Sequence, residues 1–454
     1  MAYRRGQEVF RDPKPFVYYV QPEYHKVVCD WCLKMCKNEG ILKKCTRCQW
    51  VYYCDQNCQK EAWDSHHKLE CKYLQKQNMP LLVKEHFDGN FQVIQEVYLK
   101  LLKTILKLKN SGRKEFFQLP NGKKRYFADL VSNADELRIQ NEPNESMQYE
   151  VYKTWLGDAM PSFTEYFEII GKWHTNSSSM FAMDFRNPIV VASGLYLGYS
   201  SLDHSCVPNV IRFNVGKEMV VRTIEDVENL SEIRISYINE IEKTHERQKI
   251  LKENYFFDCK CLRCEDPNSD AKFSSLKCKS CPGWVNENTK ICSGCHQKLR
   301  LSEEELTIVE KYKNGTLPKF TPTMKAREIR STLERYVKIF HGSHEIFKQC
   351  VDVVLNSPTS VSQNLKGDHD TLLILLQLQL NFSSEHLPQY HEVFMCHHDD
   401  ILYACITLRL FDEAELHLKK AEDICKVVYG EDHPYLQECQ KLKMLLQVAR
   451  VQLK

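Results

Sequence analysis

Long apolar runs are missing from this chain of 454 residues. The longest candidate, residues 372–380, is interrupted by Gln377 and Gln379 and falls far below the roughly 18–20 residues that a membrane-spanning helix needs. The N-terminal MAYRRGQEVF has no apolar core of the kind that directs secretion. An excess of one charge is missing too: 62 Lys and Arg face 60 Asp and Glu, for a net charge of +2. Whole-chain electrostatics therefore make no case for a nucleic-acid or membrane-surface protein. Low-complexity segments and long linkers are absent. The expectation is a soluble intracellular protein of about two to four units, because a domain averages ~100–200 residues. At 43% apolar and 27% charged residues, the chain can bury real cores.

Cysteine is what the chain has instead. There are 21, and 15 of them fall in three tight groups, with Cys206 counted into the second. A reducing compartment rarely uses cysteine for disulfides, so clustered Cys-x2-Cys pairs point to zinc. The first group runs Cys29-x2-Cys32, Cys45-x2-Cys48, Cys54-x3-Cys58 and His67-x3-Cys71, enough ligands for two tetrahedral sites. A two-residue gap turns both thiolates of a pair onto one ion. A three-residue gap does the same from a helical turn, because i and i+4 share a face. Residues 29–71 have too few apolar side chains for their own core, so metal is expected to supply the folding energy. Cys36 is left over. His66 competes with His67, but only His67 keeps the x3 spacing to Cys71. The second group, Cys259-x-Cys261-x2-Cys264, is one ligand short of a tetrahedron. Cys206, in LDHSCVPN, is the candidate fourth, although a lone cysteine is more often a small buried hydrophobe. The third group, Cys278-x2-Cys281 and Cys292-x2-Cys295, has Gly283 and Gly294 for tight turns and reads as a small zinc ribbon without chemistry of its own.

Around these groups the pattern changes. FVYYV, at residues 16–20, is aromatic and β-branched and predicts a strand within residues 1–28. Ile94, Val97, Leu101, Leu102, Ile105 and Leu106 recur at helical spacing, with Lys100, Lys103 and Lys107 on the other positions. The turn Pro120-Asn121-Gly122 precedes the basic run Lys123-Lys124-Arg125, which reads as a solvated loop. Residues 180–240 are strand-rich (VIRFNV, MVVRTI, EIRISYI). From about residue 300 the pattern is helical. Ala414 and Ala421 are small residues seven apart, as packed helix pairs need, and a plain helical bundle would serve the same packing role.

The first cysteine group resembles the MYND zinc finger, down to Tyr53-Cys54 and the run QKEAW before the histidine. LDHSCVPN, then ISYI, then Cys-x-Cys-x2-Cys is the order of SET-domain lysine methyltransferases. Together with the helical C-terminus, these features resemble the SMYD (SET and MYND domain) proteins over most of the chain. The resemblance implies an α+β fold: a split SET β-fold with an inserted MYND zinc finger, a zinc-binding post-SET region and an α-helical, tetratricopeptide-like C-terminal lobe. The implied boundaries are 1–28 for the N-terminal part of the SET domain and 29–71 for the finger. Residues 72–175 would be a helical insertion, 176–240 the catalytic half, 241–300 the post-SET region with the extra ribbon, and 301–454 the helical domain. In the family's finger the sites interleave. That implies Cys29, Cys32, Cys54 and Cys58 on one zinc, and Cys45, Cys48, His67 and Cys71 on the other. Cys206 would complete the post-SET site.

The resemblance also implies methyl transfer from S-adenosylmethionine to a lysine of a protein, histone or otherwise. Tyr237, in ISYI, would be the active-site tyrosine, and Tyr255 would line the lysine channel. Asp203 and His204 would contact the cofactor from the DHSC turn, Asn176 from an Asn-Ser motif, and Phe257 would stack on the adenine. Without the resemblance, Tyr237 also reads as a buried strand tyrosine with a satisfied hydroxyl, and Asn176 as a surface polar residue.

Three departures bear on activity. The family's cofactor site begins with a Gly-x-Gly strand, whose glycines let the backbone approach the methionine end of the cofactor without a Cβ. No Gly-x-Gly occurs here, and the match begins after it, at Arg5-Gly6-Gln7-Glu8. Either Met1 is a misplaced start or the site has decayed. The usual Asn of Asn-His-Ser-Cys is Asp203, which accepts hydrogen bonds but cannot donate as an amide does, and which would attract the cofactor's ammonium. The family's Gly-Glu-Glu-Leu is replaced by Asn229-Leu230-Ser231-Glu232-Ile233, without the turn glycine. The reading is a protein-lysine N-methyltransferase. The alternative is a catalytically silent SET–MYND scaffold that binds proteins through finger and lobe. The expected partners are protein substrates, histones included, and proline-rich segments at the finger. No membrane or direct nucleic-acid contact is expected of this monomer of the nucleus or cytoplasm.

Overall fold

A computed structural model describes residues 2–36, 40–75, 91–141, 144–182, 189–321, 324–355, 365 and 367–452. Two antiparallel three-stranded sheets form its β-layer. One orders Glu8–Asp12, Glu218–Thr223 and Val210–Val215; the other orders Val17–Val20, Ile189–Leu195 and Ser177–Ala182. In both, a strand from before the first cysteine group pairs with strands from after residue 176. The central strands are apolar on both faces, with Met219, Val220, Val221, Val191 and Ala192 fully buried. A continuous apolar run of this kind belongs to a strand covered on both sides.

The helix expected around residues 94–106 forms as Phe91–Asn110. Its apolar stripe packs on Val17–Val20 and on Phe163–Asn176, and Trp173 Nε1 donates to Thr104 Oγ1 at 2.9 Å. Lys103 departs from the sequence pattern. It is only 4% exposed, and its ammonium meets Glu70 at 2.8 Å, on the last helix of the finger, Lys68–Leu74. Burial works against the Lys103 charge, but Asp30 and Glu70 outweigh it and hold the pKa above the ordinary lysine value.

The C-terminal region is helical, as the spacing predicts. Val393–Thr407, Phe411–Val428 and Pro434–Gln452 pack in succession, and Ala414 and Ala421 are fully buried where the first two meet. The segment holding the third cysteine group shares a core with this region. Leu276, Val285 and Cys292 pack with Ile329, Leu333, Tyr336 and Phe340. The helical region docks on the first sheet. Arg222 donates to the carbonyls of Gly6 and Val427, and Phe213 meets Tyr429 at 5.0 Å. Among the described residues no helix is long and apolar enough to cross a membrane.

Removing one partner of a buried ion pair strands the other. Lys103→Met should cost about 3–5 kcal/mol in urea unfolding, and Lys103→Met with Glu70→Leu should recover most of it. A single variant within about 0.5 kcal/mol of the parent would contradict the pairing.

Candidate metal centres and active site

Four sets of sulfur and imidazole atoms converge, each within 4.8 Å of one another: Cys29, Cys32, Cys54 and Cys58; Cys45, Cys48, His67 and Cys71; Cys206, Cys259, Cys261 and Cys264; and Cys278, Cys281, Cys292 and Cys295. Tetrahedral zinc with bonds of ~2.3 Å holds its sulfurs about 3.8 Å apart. The observed separations are Cys32–Cys54 3.6 Å, Cys45–Cys71 4.0 Å, Cys206–Cys264 3.6 Å, Cys278–Cys295 3.6 Å and Cys281–Cys292 3.5 Å. The donor chemistry and spacing fit zinc in all four. Burial pushes the Cys48 and Cys58 thiols up to about 12, and a divalent cation reverses that by binding the thiolate.

Local sequence explains how the finger presents these atoms. Asp55 caps the helix Gln56–Ala62 by accepting from the Cys58 N–H at 2.8 Å, which turns Cys58 toward Cys54. His67 Nε2 lies 3.6 Å from Cys48 Sγ, whereas His66 faces Asp30 at 3.4 Å and stays outside the group. Cys36 packs half-buried beside the finger core and joins no group.

The Cys206 set also organises the residues expected around a methyl-transfer site. Asp203–His204 pairs in parallel with Arg234–Ile235. His204 then bridges two neighbours: its Nε2 is 3.3 Å from Cys206 Sγ, and its Nδ1 accepts the Tyr237 N–H at 3.0 Å. The Tyr237 hydroxyl donates to the Leu202 carbonyl, and its ring lies 5.0 Å from that of Tyr255. The Tyr255 hydroxyl donates to the Tyr237 carbonyl at 3.3 Å. Burial holds both phenols above their ordinary pKa. After the helix Thr244–Tyr255, Phe256 adopts φ +60, and the chain doubles back so that Phe257 reaches 6.0 Å from His204. His174, Tyr237, Ile238, Ile250, Asn254 and Tyr255 line a cavity of about 330 Å³.

Three expectations change. Tyr237 is not a strand residue, because pairing stops at Ile235 and the tyrosine sits in the bend beyond. Asn176 is not a surface residue. It is 8% exposed, and its amide donates to the Val131 and Lys172 carbonyls at 2.7 and 2.8 Å, while His174, two positions earlier, lines the cavity. Lys123 and Lys124 are exposed, but Arg125 turns inward. Its Nη2 donates to the Ser200 carbonyl at 3.3 Å, and its Nε is buried without a hydrogen-bond partner among the described residues. Nothing in the spacing of a short basic run marks one member for burial.

The turn ahead of Asp203 is held by Asp12, whose Oδ2 accepts the Gly198 N–H at 2.8 Å. A Cβ on Gly198 would stand 2.6 Å from the Phe117 ring, so a side chain there would have to displace that ring. Burial raises the Asp12 carboxyl to about 7 despite the Gly198 and Tyr199 amides.

Known proteins share this arrangement of sequence. The MYND finger family model matches residues 29–71. The chain is similar to histone-lysine N-methyltransferase ASHR1 of Arabidopsis thaliana, at 25% identity over 96% of this chain and 89% of the relative. It is similar to histone-lysine N-methyltransferase SMYD3 of Homo sapiens at 25% identity, over 96% and 91%. It is similar to N-lysine methyltransferase SMYD2-A of Danio rerio at 24% identity, over 97% and 93%. The finger and these relatives together support the SMYD (SET and MYND domain) family. Similarity to these SMYD relatives extends well beyond the finger, into both the β-layer and the helical region.

Native mass spectrometry should find about four zinc ions per chain, one for each donor set, and Cys206→Ser should lower the count by one. A parent count of two would contradict the second and third groups. For Asp12, the folded carboxyl keeps its proton to about pH 7, whereas an unfolded one releases it near pH 4. Its contribution to stability is therefore lost as pH rises through that window. Asp12→Asn should raise the melting temperature relative to the parent more at pH 8 than at pH 5.5. An equal difference at both would contradict the raised pKa.

Proposed function

We propose that this SMYD-family chain is an S-adenosylmethionine-dependent protein-lysine N-methyltransferase. On this reading residues 1–28 and 176–240 are the two parts of a SET β-fold, with the MYND finger at 29–71 and a helical insertion at 72–175 between them. Residues 241–300 are the post-SET zinc region with its ribbon, and residues 301–454 form a tetratricopeptide-like lobe. The observation that carries the reading is the meeting of Tyr237, Tyr255, His204 and Phe257 beside the Cys206 donor set, although they come from separate stretches of sequence. The lysine methyltransferase names of the relatives support the same chemistry.

The residues present fit the cofactor: an aromatic ring at Phe257, a carboxylate at Asp203 and a buried, unpartnered guanidinium nitrogen at Arg125. Phe257, His204 and Asp203 would hold it, whereas the Asn176 amide is taken up by the Val131 and Lys172 carbonyls. When bound, the cofactor supplies an electrophilic methyl on a sulfonium. The chain's own work is positional. The rings of Tyr237 and Tyr255 wall a channel in which a lysine amine sheds water, and desolvation lowers its pKa so that it enters neutral. The Tyr237 hydroxyl, held on the Leu202 carbonyl, would set an oxygen dipole at that channel that favours positive charge there. A cleft of about 480 Å³ between the first sheet and the helical lobe, with Arg212, Phe213, Glu240, Glu392 and Tyr429 on its walls, offers room for the peptide on either side of the lysine. Ser236 and Ile238, which flank Tyr237, open onto the same cleft. The finger would add a second protein contact, to proline-rich segments.

Titrating the zinc-loaded chain with S-adenosylmethionine should release heat, and radiolabelled cofactor should mark lysines in histones or in a lysate. Tyr237→Phe should cut labelling about 100-fold, the size of effect that misalignment alone produces, without loss of zinc. No heat at millimolar cofactor would overturn the proposal and leave the silent scaffold.

A further inference from the structure

Arg125 lies on the strand Lys124–Tyr126, which pairs with Phe116–Gln118 in a hairpin. Several neighbours fix the segment immediately after it. The Lys172 ammonium donates to three carbonyls in that segment, Phe127 at 3.1 Å, Ala128 at 3.1 Å and Leu130 at 3.0 Å. The Asn176 amide takes the next, Val131. Gly171 lets the same segment press so close that a Cβ there would lie 2.1 Å from the Ser132 carbonyl oxygen. One helix end thus clamps residues 127–132 against the fold, and Arg125 is held facing the turn of Ser200, three residues before Asp203. Burial lowers its pKa, while the charges of Asp129, Asp203 and Tyr237 act to raise it. A guanidinium fixed in place with a buried, unpaired Nε–H is costly unless something accepts from it.

The chemistry of that acceptor is set by the neighbours. Arg125 and Asp203 are a cation and an anion close enough for their charges to act on one another, with Tyr237 near both. An α-amino acid group carries the complementary pair, a carboxylate and an ammonium on one carbon. A guanidinium recognises a carboxylate through its planar fork, which a lysine cannot reproduce. We propose that Arg125 binds the α-carboxylate at the amino-acid end of the cofactor, with Asp203 on its ammonium. This rests on the methyltransferase reading. It also gives the aspartate of the DHSC turn a balancing charge.

The test compares two ligands by calorimetry on the full zinc-loaded chain. S-adenosylhomocysteine carries the amino-acid end; 5′-methylthioadenosine keeps the adenine, ribose and sulfur but lacks it. Arg125→Ala should weaken S-adenosylhomocysteine about 10- to 100-fold and leave methylthioadenosine within about twofold, the loss expected for a charged hydrogen bond to one group. Arg125→Lys, which keeps the charge without the fork, should recover only part. Equal weakening of both ligands would overturn the proposal. So would recovery of S-adenosylhomocysteine binding when Asp203→Asn is added to Arg125→Ala, because Arg125 would then only neutralise Asp203. If the parent chain binds neither ligand, the methyltransferase reading itself falls and takes the proposal with it. Zinc content and melting report folding. If Arg125→Ala does not fold, Arg125→Lys and Arg125→Gln against the same two ligands decide the matter.

Discussion

The rest of the structure depends on the approach of Cys206 to the cysteines at 259, 261 and 264. These sulfurs are far apart in the chain, and closing the loop between them costs entropy that local propensity cannot recover. A shared metal ion can offset it, because structural zinc contributes folding free energy directly. The consequence reaches beyond stability. His204 stands between Cys206 and the Tyr237 amide, so the position of the tyrosine is tied to the metal donors through a single imidazole. Tyr255 and Phe257 lie on the approach to the cysteine trio and are carried in by the same closure.

The remaining donor sets act by the same physics at smaller scale. The finger has little apolar core apart from what it borrows from the helix Phe91–Asn110, and the buried Lys103–Glu70 pair adds register to that contact. The ribbon at 276–299 gives its few apolar residues to the helical region and receives a core in return. Its partners there are Ile329, Leu333, Tyr336 and Phe340, on and just after the helix Ala326–Ile339.

Much of this was legible in the sequence because ligand spacing is local. A Cys-x2-Cys pair dictates a turn whatever surrounds it, and His67 rather than His66 follows from its distance to Cys71. Helical and strand periodicity placed Phe91–Asn110 and the strands near residues 17 and 210 for the same reason. The failures were all long-range. Lys103 looks solvated on a helical wheel and is buried, because its partner comes from the finger. Arg125 looks like one of three loop cations and turns inward, because a helix some forty residues later, ending in Lys172 and Asn176, clamps the chain behind it. Asn176 commits its amide to that clamp, which a motif match cannot foresee. Tyr237 falls beyond its strand because the parallel pairing with Asp203–His204 is only two residues long.

The most direct test is crystallographic: anomalous scattering collected on either side of the zinc absorption edge, which locates the ion independently of the protein atoms. The expected result is a peak about 2.3 Å from the Cys206 sulfur and equally close to those of Cys259, Cys261 and Cys264. A peak held by those three cysteines and a water, with Cys206 outside bonding distance, would contradict it.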